Sequence, residues 1–191
     1  MSKSKFFYSL ALVFALIFVI AAGLLRIQSN LTRSEKYMVY SAYVNSRLTG
    51  ESHDLGSPKR LSVIVGTTIA PGISLLRDAK RRLPATRPST LVAFLLSNLW
   101  DKSLTREFDI SAQYLLITKT EALSYPFDSV QKYPSSYGYL IFSDIGLNAD
   151  STEALFYTEH ICGLCGGGEY VLMQKIAGRW KVVGESYTWI S

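Results

Sequence analysis

Apolar residues form one uninterrupted block near the start of the chain. Residues 6–25 contain no charged side chain and no proline, Lys3 and Lys5 precede them, and Arg26 follows. As a helix, these residues would measure about 30 Å, which is the thickness of the hydrocarbon core of a bilayer. The pattern predicts a transmembrane anchor over residues 1–25. The N-terminal lysines favour an inside N-terminus, which places the rest of the chain outside the cytoplasm.

A cleaved signal peptide is the alternative, and it would make the protein secreted. Ala21-Ala22-Gly23 offers small residues for cleavage. The apolar core of a signal peptide is usually only about 7–15 residues long, and this run is longer. We therefore favour the anchor, followed by a juxtamembrane linker over residues 26–31 and a single domain over residues 32–191, a length typical of one domain.

Helical spacing of apolar residues dominates the first half of this domain. Thr32-Arg33-Ser34-Glu35 has the form of a capping box, and apolar residues then recur three and four positions apart as far as Gly50. Three helices are predicted, the third apolar around most of its circumference and therefore expected to be largely buried. Their ranges are 33–49, 73–83 and 89–104.

Strand-like segments dominate the second half. The last three are separated by short turns, which predicts a C-terminal β-meander. We expect an α+β fold in which the helices pack on one face of an antiparallel sheet. Residues 119–125 are predicted to form a single helical turn or a loop. The predicted strands are 61–65, 112–118, 137–142, 154–161, 169–176 and 179–190.

The net charge does not indicate a nucleic-acid partner. The chain has 20 basic and 15 acidic residues, and without Lys3 and Lys5 the balance is 18 − 15 = +3. The membrane, contacted through residues 6–25, is the predicted partner. One face of the second predicted helix is basic and is explained as a solvated surface, with a phosphate or lipid-headgroup patch as the alternative. Its residues are Arg77, Lys80, Arg81 and Arg82.

Both cysteines of the chain lie in one predicted turn. Cys162 and Cys165 are two residues apart, and a local disulfide between them suits an exported domain because oxidising compartments preserve such bonds. A loop this small contributes about 2 kcal/mol in the chain-entropy picture. Glycines would supply the positive φ values of a tight turn. These predicted turn glycines are Gly163, Gly166, Gly167 and Gly168.

Three other interpretations of this turn remain open. A metal site would use His160, Cys162 and Cys165, but zinc and copper normally take more ligands, so no metal is predicted. A redox pair usually opens a helix, whereas this pair runs into glycines and a strand. Free structural thiols in a reducing compartment are the last possibility. No cofactor is predicted, and the adjacent His53-Asp54 is interpreted as part of a solvated loop.

The C-terminal stretch CGLCGGGEYVLMQKIAGRWKVVGESYTWIS resembles the signature of a group of uncharacterised bacterial proteins that are membrane-anchored or exported. That signature is C-G-x-x-C-G-x-G, a strand, G-x-W-K-V and a terminal W-I/V-S. The preceding YGYLIFSDIGLNADSTEALFY is similar to the lead-in of the same group, so the resemblance covers about residues 134–191. The group has no known activity. The resemblance therefore implies a sheet and names no substrate.

These features favour a non-catalytic binding or interaction module of the cell envelope. The chain has two histidines, and neither a nucleophile–base pair nor a complete metal set is visible in it. The alternative is an envelope enzyme, either a thiol-redox protein using Cys162 and Cys165 or a hydrolase whose residues are scattered along the sequence. No catalytic residue is identified at this level.

Overall fold

The computed structural model describes residues 32–47, 61–69, 74–124, 132–133, 136, 138–162 and 166–191. The predicted anchor, the His53-Asp54 loop, Gly163 and Cys165 lie outside these residues. The chain divides into two compact units, Met1–Glu35 and Lys36–Ser191. The part described contains no helix with both the length and the apolar character needed to span a membrane.

A single sheet of seven strands forms the centre of the second unit. Its order is β2-β1-β3-β5-β6-β7, and the short β4 pairs with β5 beside this path. Six of the strands match predicted segments, whereas β4 was not predicted. The strands are β1 (Leu61–Val65), β2 (Gln113–Ile117), β3 (Tyr139–Phe142), β4 (Gly146–Leu147), β5 (Glu153–Ile161), β6 (Gly166–Ile176) and β7 (Arg179–Ile190).

The sheet is mixed, so the prediction of an antiparallel sheet is wrong for its N-terminal part. β1 pairs in parallel with β2 and with β3, whereas β3, β5, β6 and β7 pair antiparallel as the predicted meander. The chain between β1 and β2 contains two helices, which provide the long crossover that parallel neighbours need. Four of the five residues of β1 are buried, as expected for a strand covered on both faces. The α+β class is confirmed.

Helices cover both faces of the sheet rather than the one face predicted. Helix α1, described over residues 32–47, packs Tyr40 and Tyr43 against Phe142 and Phe156. Helices α2 (Ser74–Arg82) and α3 (Pro88–Ser97) pack against Leu155 and its neighbours on the opposite face. Residues 154–157 of β5 and 170–173 of β6 alternate between these two clusters because successive side chains of a strand point to opposite faces. A short helix, α4 (Lys119–Ser124), follows β2.

Helix α3 is shorter and more exposed than predicted. It ends before Asn98, whose side-chain amide donates to the carbonyl oxygens of Phe94 and Asp144, both at 2.8 Å. Leu91 and Phe94 face the sheet, but Val92 and Leu96 on the other side are exposed. The prediction of a largely buried helix is therefore wrong, since the described residues put no layer over its outer face.

Candidate functional site

The three glycines that follow Cys165 belong to a strand and not to the turn. Gly166 and Gly167 lie opposite Ile161 and His160 in the β5–β6 ladder, so the prediction that they form the turn is wrong, as it is for Gly168. Their physical role is close packing. A Cβ atom on Gly168 would lie only 2.0 Å from the Tyr157 hydroxyl oxygen and 2.3 Å from the Trp189 Nε1.

Cys162 follows the last residue of β5 and is buried. Both flanks of the cysteine pair are strands, as predicted, because β6 begins at Gly166. Cys165 itself lies outside the described residues, so the pairing of the two sulfurs and the alternative metal set with His160 stay predictions. Within the described ranges, no group of three or more His, Cys, Asp or Glu side chains is arranged to hold a metal ion.

The residue after the glycines, Glu169, carries a carboxylate into the protein interior. It points toward α1, where the Tyr43 hydroxyl donates to its Oε1 at 2.7 Å and the Arg47 Nη2 donates to the same oxygen at 2.5 Å. The Arg47 Nη2 also bonds the Glu185 Oε1 on β7 at 2.7 Å. Tyr43, Arg47, Glu169 and Glu185 form what we call the Glu169 cluster. It joins α1 to two strands of the meander.

The other oxygen of this carboxylate is unsatisfied. The Glu169 side chain is 7% exposed, and its Oε2 is buried without a hydrogen-bond partner in the part of the chain that the structure describes. A buried acceptor left unpaired costs about 1–3 kcal/mol, and more when it is charged. Oε2 is therefore a buried acceptor that no donor among the described residues uses.

Two other buried carboxylates show that this arrangement is not general in the fold. The Glu153 Oε1 accepts the backbone N–H of Arg87 at 2.8 Å and the Thr90 hydroxyl at 2.7 Å, and its Oε2 accepts the amide of Gln174 at 3.1 Å. This glutamate satisfies orphan donors at the start of α3. Both of its oxygens are used.

Asp144 is likewise satisfied. Both of its oxygens accept the Lys36 Nζ at 2.9 Å, and it also pairs with the Lys102 Nζ and accepts the backbone N–H of Ile145. Burial lowers the pKa of Lys36, and the attraction of Asp144 only partly opposes that shift. Asp144 ties α1 to the segment before β4, so we interpret it as structural.

Electrostatics in the Glu169 cluster keep its phenol neutral and weaken one of its acids. Burial raises the pKa of Tyr43, and the nearby Glu169 raises it further, so the phenol remains a hydrogen-bond donor. The pKa of Glu185 is also raised, first by burial, with Arg47 opposing and Glu169 adding to the shift. The cluster thus offers one buried carboxylate, one neutral donor and one guanidinium.

His160, considered above only as an alternative metal ligand, lies near this cluster in the ladder. Thr158 of β5 is directly opposite Glu169, and His160 is two residues farther along the same strand and half-exposed. Diagonal neighbours of this kind are about 7–8 Å apart, within reach of long side chains. The structure therefore places one predicted residue beside a site that the sequence reading missed.

Glu169 was missed because it was treated only as the first residue of a strand. One sequence signal was available: Glu169 shares its alternation phase with Val171 and Met173, which point into the core. A charged residue on the inward side of an apolar strand is rarely buried unless it is paired or functional.

The comparisons with known proteins assign no family to the chain. No family model, no curated protein and no solved structure matches it. The resemblance of its C-terminal stretch to uncharacterised bacterial proteins stays a prediction. The functional argument therefore depends on the side chains of this protein alone.

Proposed function

We propose that this chain is a membrane-anchored domain of the cell envelope that binds a molecule without transforming it, with Glu169 as the principal acceptor. The observation that carries this proposal is the buried Oε2 of Glu169, which has no hydrogen-bond partner among the residues that the structure describes. The two comparable carboxylates, Glu153 and Asp144, use both of their oxygens within the fold. A ligand that donates a hydrogen bond to Oε2 would relieve the cost of leaving it unpaired.

The charge of the cluster specifies the chemistry of the ligand. Glu169 and Glu185 contribute two negative charges and Arg47 one positive charge, so the cluster has a formal charge of −1. A primary ammonium group would supply both the hydrogen-bond donor and the missing positive charge, and charge-assisted bonds are about twice as strong as neutral ones. The Arg47 side chain is the exposed member beside Glu169, so we expect the ligand to enter along it.

Binding fits the local chemistry better than thiol redox. Cys162 follows a strand, and β6 begins directly after Cys165. A redox pair of this spacing normally uses a helix N-terminus to stabilise its thiolate. The envelope-enzyme alternative therefore has less support from the structure than the binding module.

A cross-link between Cys162 and Cys165 belongs to the same proposal. Ile161 and Gly166 are the last pair of the β5–β6 ladder, so both cysteines fall within the four residues that connect these two strands. An oxidising compartment would preserve a local disulfide between two cysteines so close in sequence. Intact mass measurement of alkylated, unreduced protein should find neither thiol modified.

Thermal unfolding of the full-length protein with small cations tests the ligand chemistry. Ethylammonium and putrescine carry N–H donors, whereas tetramethylammonium carries the same charge without one. A ligand present at a hundred times its Kd stabilises the folded state by about 2.7 kcal/mol. We expect the first two compounds to raise the Tm and tetramethylammonium to leave it unchanged.

Variants test whether a shift in Tm arises from binding at the Glu169 cluster. Glu169→Gln keeps the shape of the side chain and removes the charge, so it should abolish the shift. Glu159→Gln is the matched control, because Glu159 lies on the neighbouring strand in the opposite alternation phase and is half-exposed. A wild-type protein whose Tm responds to none of the amines, or a shift that survives in Glu169→Gln, would contradict the proposal.

A further inference from the structure

Helix α3 presents an apolar surface to the outside. Val92, Leu96, Leu99 and Trp100 recur at helical spacing along and just beyond the helix, and all four are exposed, Trp100 by 62%. Val92 and Leu96 lie on the side of α3 opposite Leu91 and Phe94, which face the sheet. Contiguous exposed apolar patches on soluble domains mark contacts with proteins or membranes.

A basic surface lies beside this apolar one. Helix α2 turns Ala79 toward the sheet and exposes Arg77, Lys80 and Arg81 on its other side. α2 and α3 contact each other and pack on the same face of the sheet, so their outer sides face the same way. α2 contains four basic residues and Asp78, a formal charge of 4 − 1 = +3.

We infer that the outer sides of α2 and α3 dock on the anionic lipid surface of the membrane that holds the N-terminal anchor. This inference rests on the anchoring proposed above. Aliphatic residues and a tryptophan beside lysine and arginine form the composition of surfaces that lie in a bilayer interface. Arg87, the residue before α3, is also exposed, but it pairs with Asp150 at 3.9 Å and with Glu153 at 3.5 Å, so the positive charge of this surface comes mainly from α2.

The predicted linker between the anchor and this domain is short. The predicted anchor ends at residue 25, and helix α1 is described from residue 32. The intervening residues 26–31, fully extended, span about 20 Å. A short tether raises the effective concentration of the second contact, so a surface of modest affinity is occupied.

Quenching of tryptophan fluorescence by lipids tests the docking. The full chain is reconstituted into vesicles of phosphatidylcholine and phosphatidylglycerol in equal parts, doped with lipids brominated close to the headgroup. Trp180 is buried and Trp189 lies on β7, so we expect Trp100 to supply the quenched component. Trp100→Phe should remove that component, and vesicles of phosphatidylcholine alone should reduce it.

Charge removal measures the electrostatic contribution. Each basic residue at an anionic surface favours the bound state about fivefold. The double variant Arg77→Ala with Arg81→Ala should therefore lower the ratio of docked to undocked molecules about 25-fold. Ile190→Ser is the matched control, because Ile190 is 73% exposed but lies at the end of β7. It should leave the quenching unchanged.

The outcomes separate docking from anchoring. A chain that resists alkaline extraction from membranes but shows no quenching of Trp100 on the anionic vesicles overturns the docking inference and leaves the anchor intact. Equal quenching on both kinds of vesicle overturns the role of the basic residues, and with it the inference. A chain released by alkaline extraction refutes the anchor, and flotation of that released chain with the anionic vesicles then decides the docking by itself.

Discussion

Gly168 is a position where the addition of one methyl group should loosen the C-terminal sheet. A Cβ atom there would lie 2.0 Å from the Tyr157 hydroxyl oxygen and 2.3 Å from the Trp189 Nε1, separations that real Cβ atoms do not reach. The Trp189 Nε1 donates to that hydroxyl at 3.1 Å, and the hydroxyl is also 3.1 Å from the Thr188 Oγ1. Gly168→Ala therefore forces a bonded pair of side chains apart.

The size of the stability loss depends on which of these two side chains can move. Tyr157 is 6% exposed and Trp189 is 37% exposed, so we expect the indole to be displaced. Overpacking costs about 1–3 kcal/mol, and loss of the hydrogen bond adds about 1 kcal/mol. Replacement of a strand glycine by alanine otherwise recovers about 0.5–1 kcal/mol. We expect a net loss of about 2–3 kcal/mol, which lowers the Tm of a chain of this size by about 4–12 °C.

Urea unfolding followed by tryptophan fluorescence measures this loss, and the neighbouring glycine supplies the control. A Cβ atom on Gly167 would meet its nearest atom, the backbone oxygen of Trp189, at 3.2 Å and all others at 3.9 Å or beyond. Gly167→Ala should stay within about 1 kcal/mol of wild type. If Gly168→Ala is as stable as Gly167→Ala, the tight contact between Tyr157 and Trp189 does not exist in solution.

Two further predictions concern the acidic residues Asp144 and Glu185. Asp144→Asn should lower the free energy of unfolding by about 2–3 kcal/mol because it breaks a buried ion pair. Lys102→Met should lower it by less than about 1 kcal/mol because Lys102 is more exposed. Equal losses of the two variants in chemical denaturation would refute this reasoning. The pKa of Glu185 is raised above its ordinary value of 4.5 in the folded protein. The stability that the protonated Glu185 contributes is therefore complete below pH 4.5 and is lost as the pH rises through the raised pKa. The Tm of wild type minus that of Glu185→Gln should therefore fall as the pH is raised from acid to neutral, and a pH-independent difference would speak against partial desolvation of the Glu185 carboxylate.

The C-terminal meander was predictable because alternation is a local signal. The predicted strand 179–190 coincides with β7, and 169–176 lies within β6. The glycines at the start of β6 were wrongly predicted to form a turn, because a glycine is equally suited to a turn and to a close contact between strands. Only the positions of Tyr157 and Trp189, which approach from neighbouring strands, distinguish the two uses.

Parallel pairing and helix exposure were not predictable, because both depend on distant residues. β1 finds its neighbours β2 and β3 far along the chain, although its continuous apolar run is typical of a strand buried on both faces. Helix α3 has apolar residues on two sides, and periodicity does not reveal which side receives a second layer. Leu91 proved to be inside and Leu96 outside.

The candidate site was only partly predictable. His160 and the cysteine pair could be singled out in the sequence. Glu169 could not, because the residues that donate to its carboxylate, Tyr43 and Arg47, are 126 and 122 residues away. A single sequence contains no spacing pattern that relates residues so far apart. The inward alternation phase of Glu169 was the one local trace of the site.

The strand order of the sheet also has a kinetic consequence. β5, β6 and β7 are joined by short connections and close small loops, so their hairpins should form early. β1 is synthesised before all of them, yet its two parallel neighbours emerge much later. The apolar segment Val63-Ile64-Val65 must therefore stay unpaired until β2, which begins at Gln113, has been made. We expect this segment to be where self-association begins whenever production of the protein outruns its maturation.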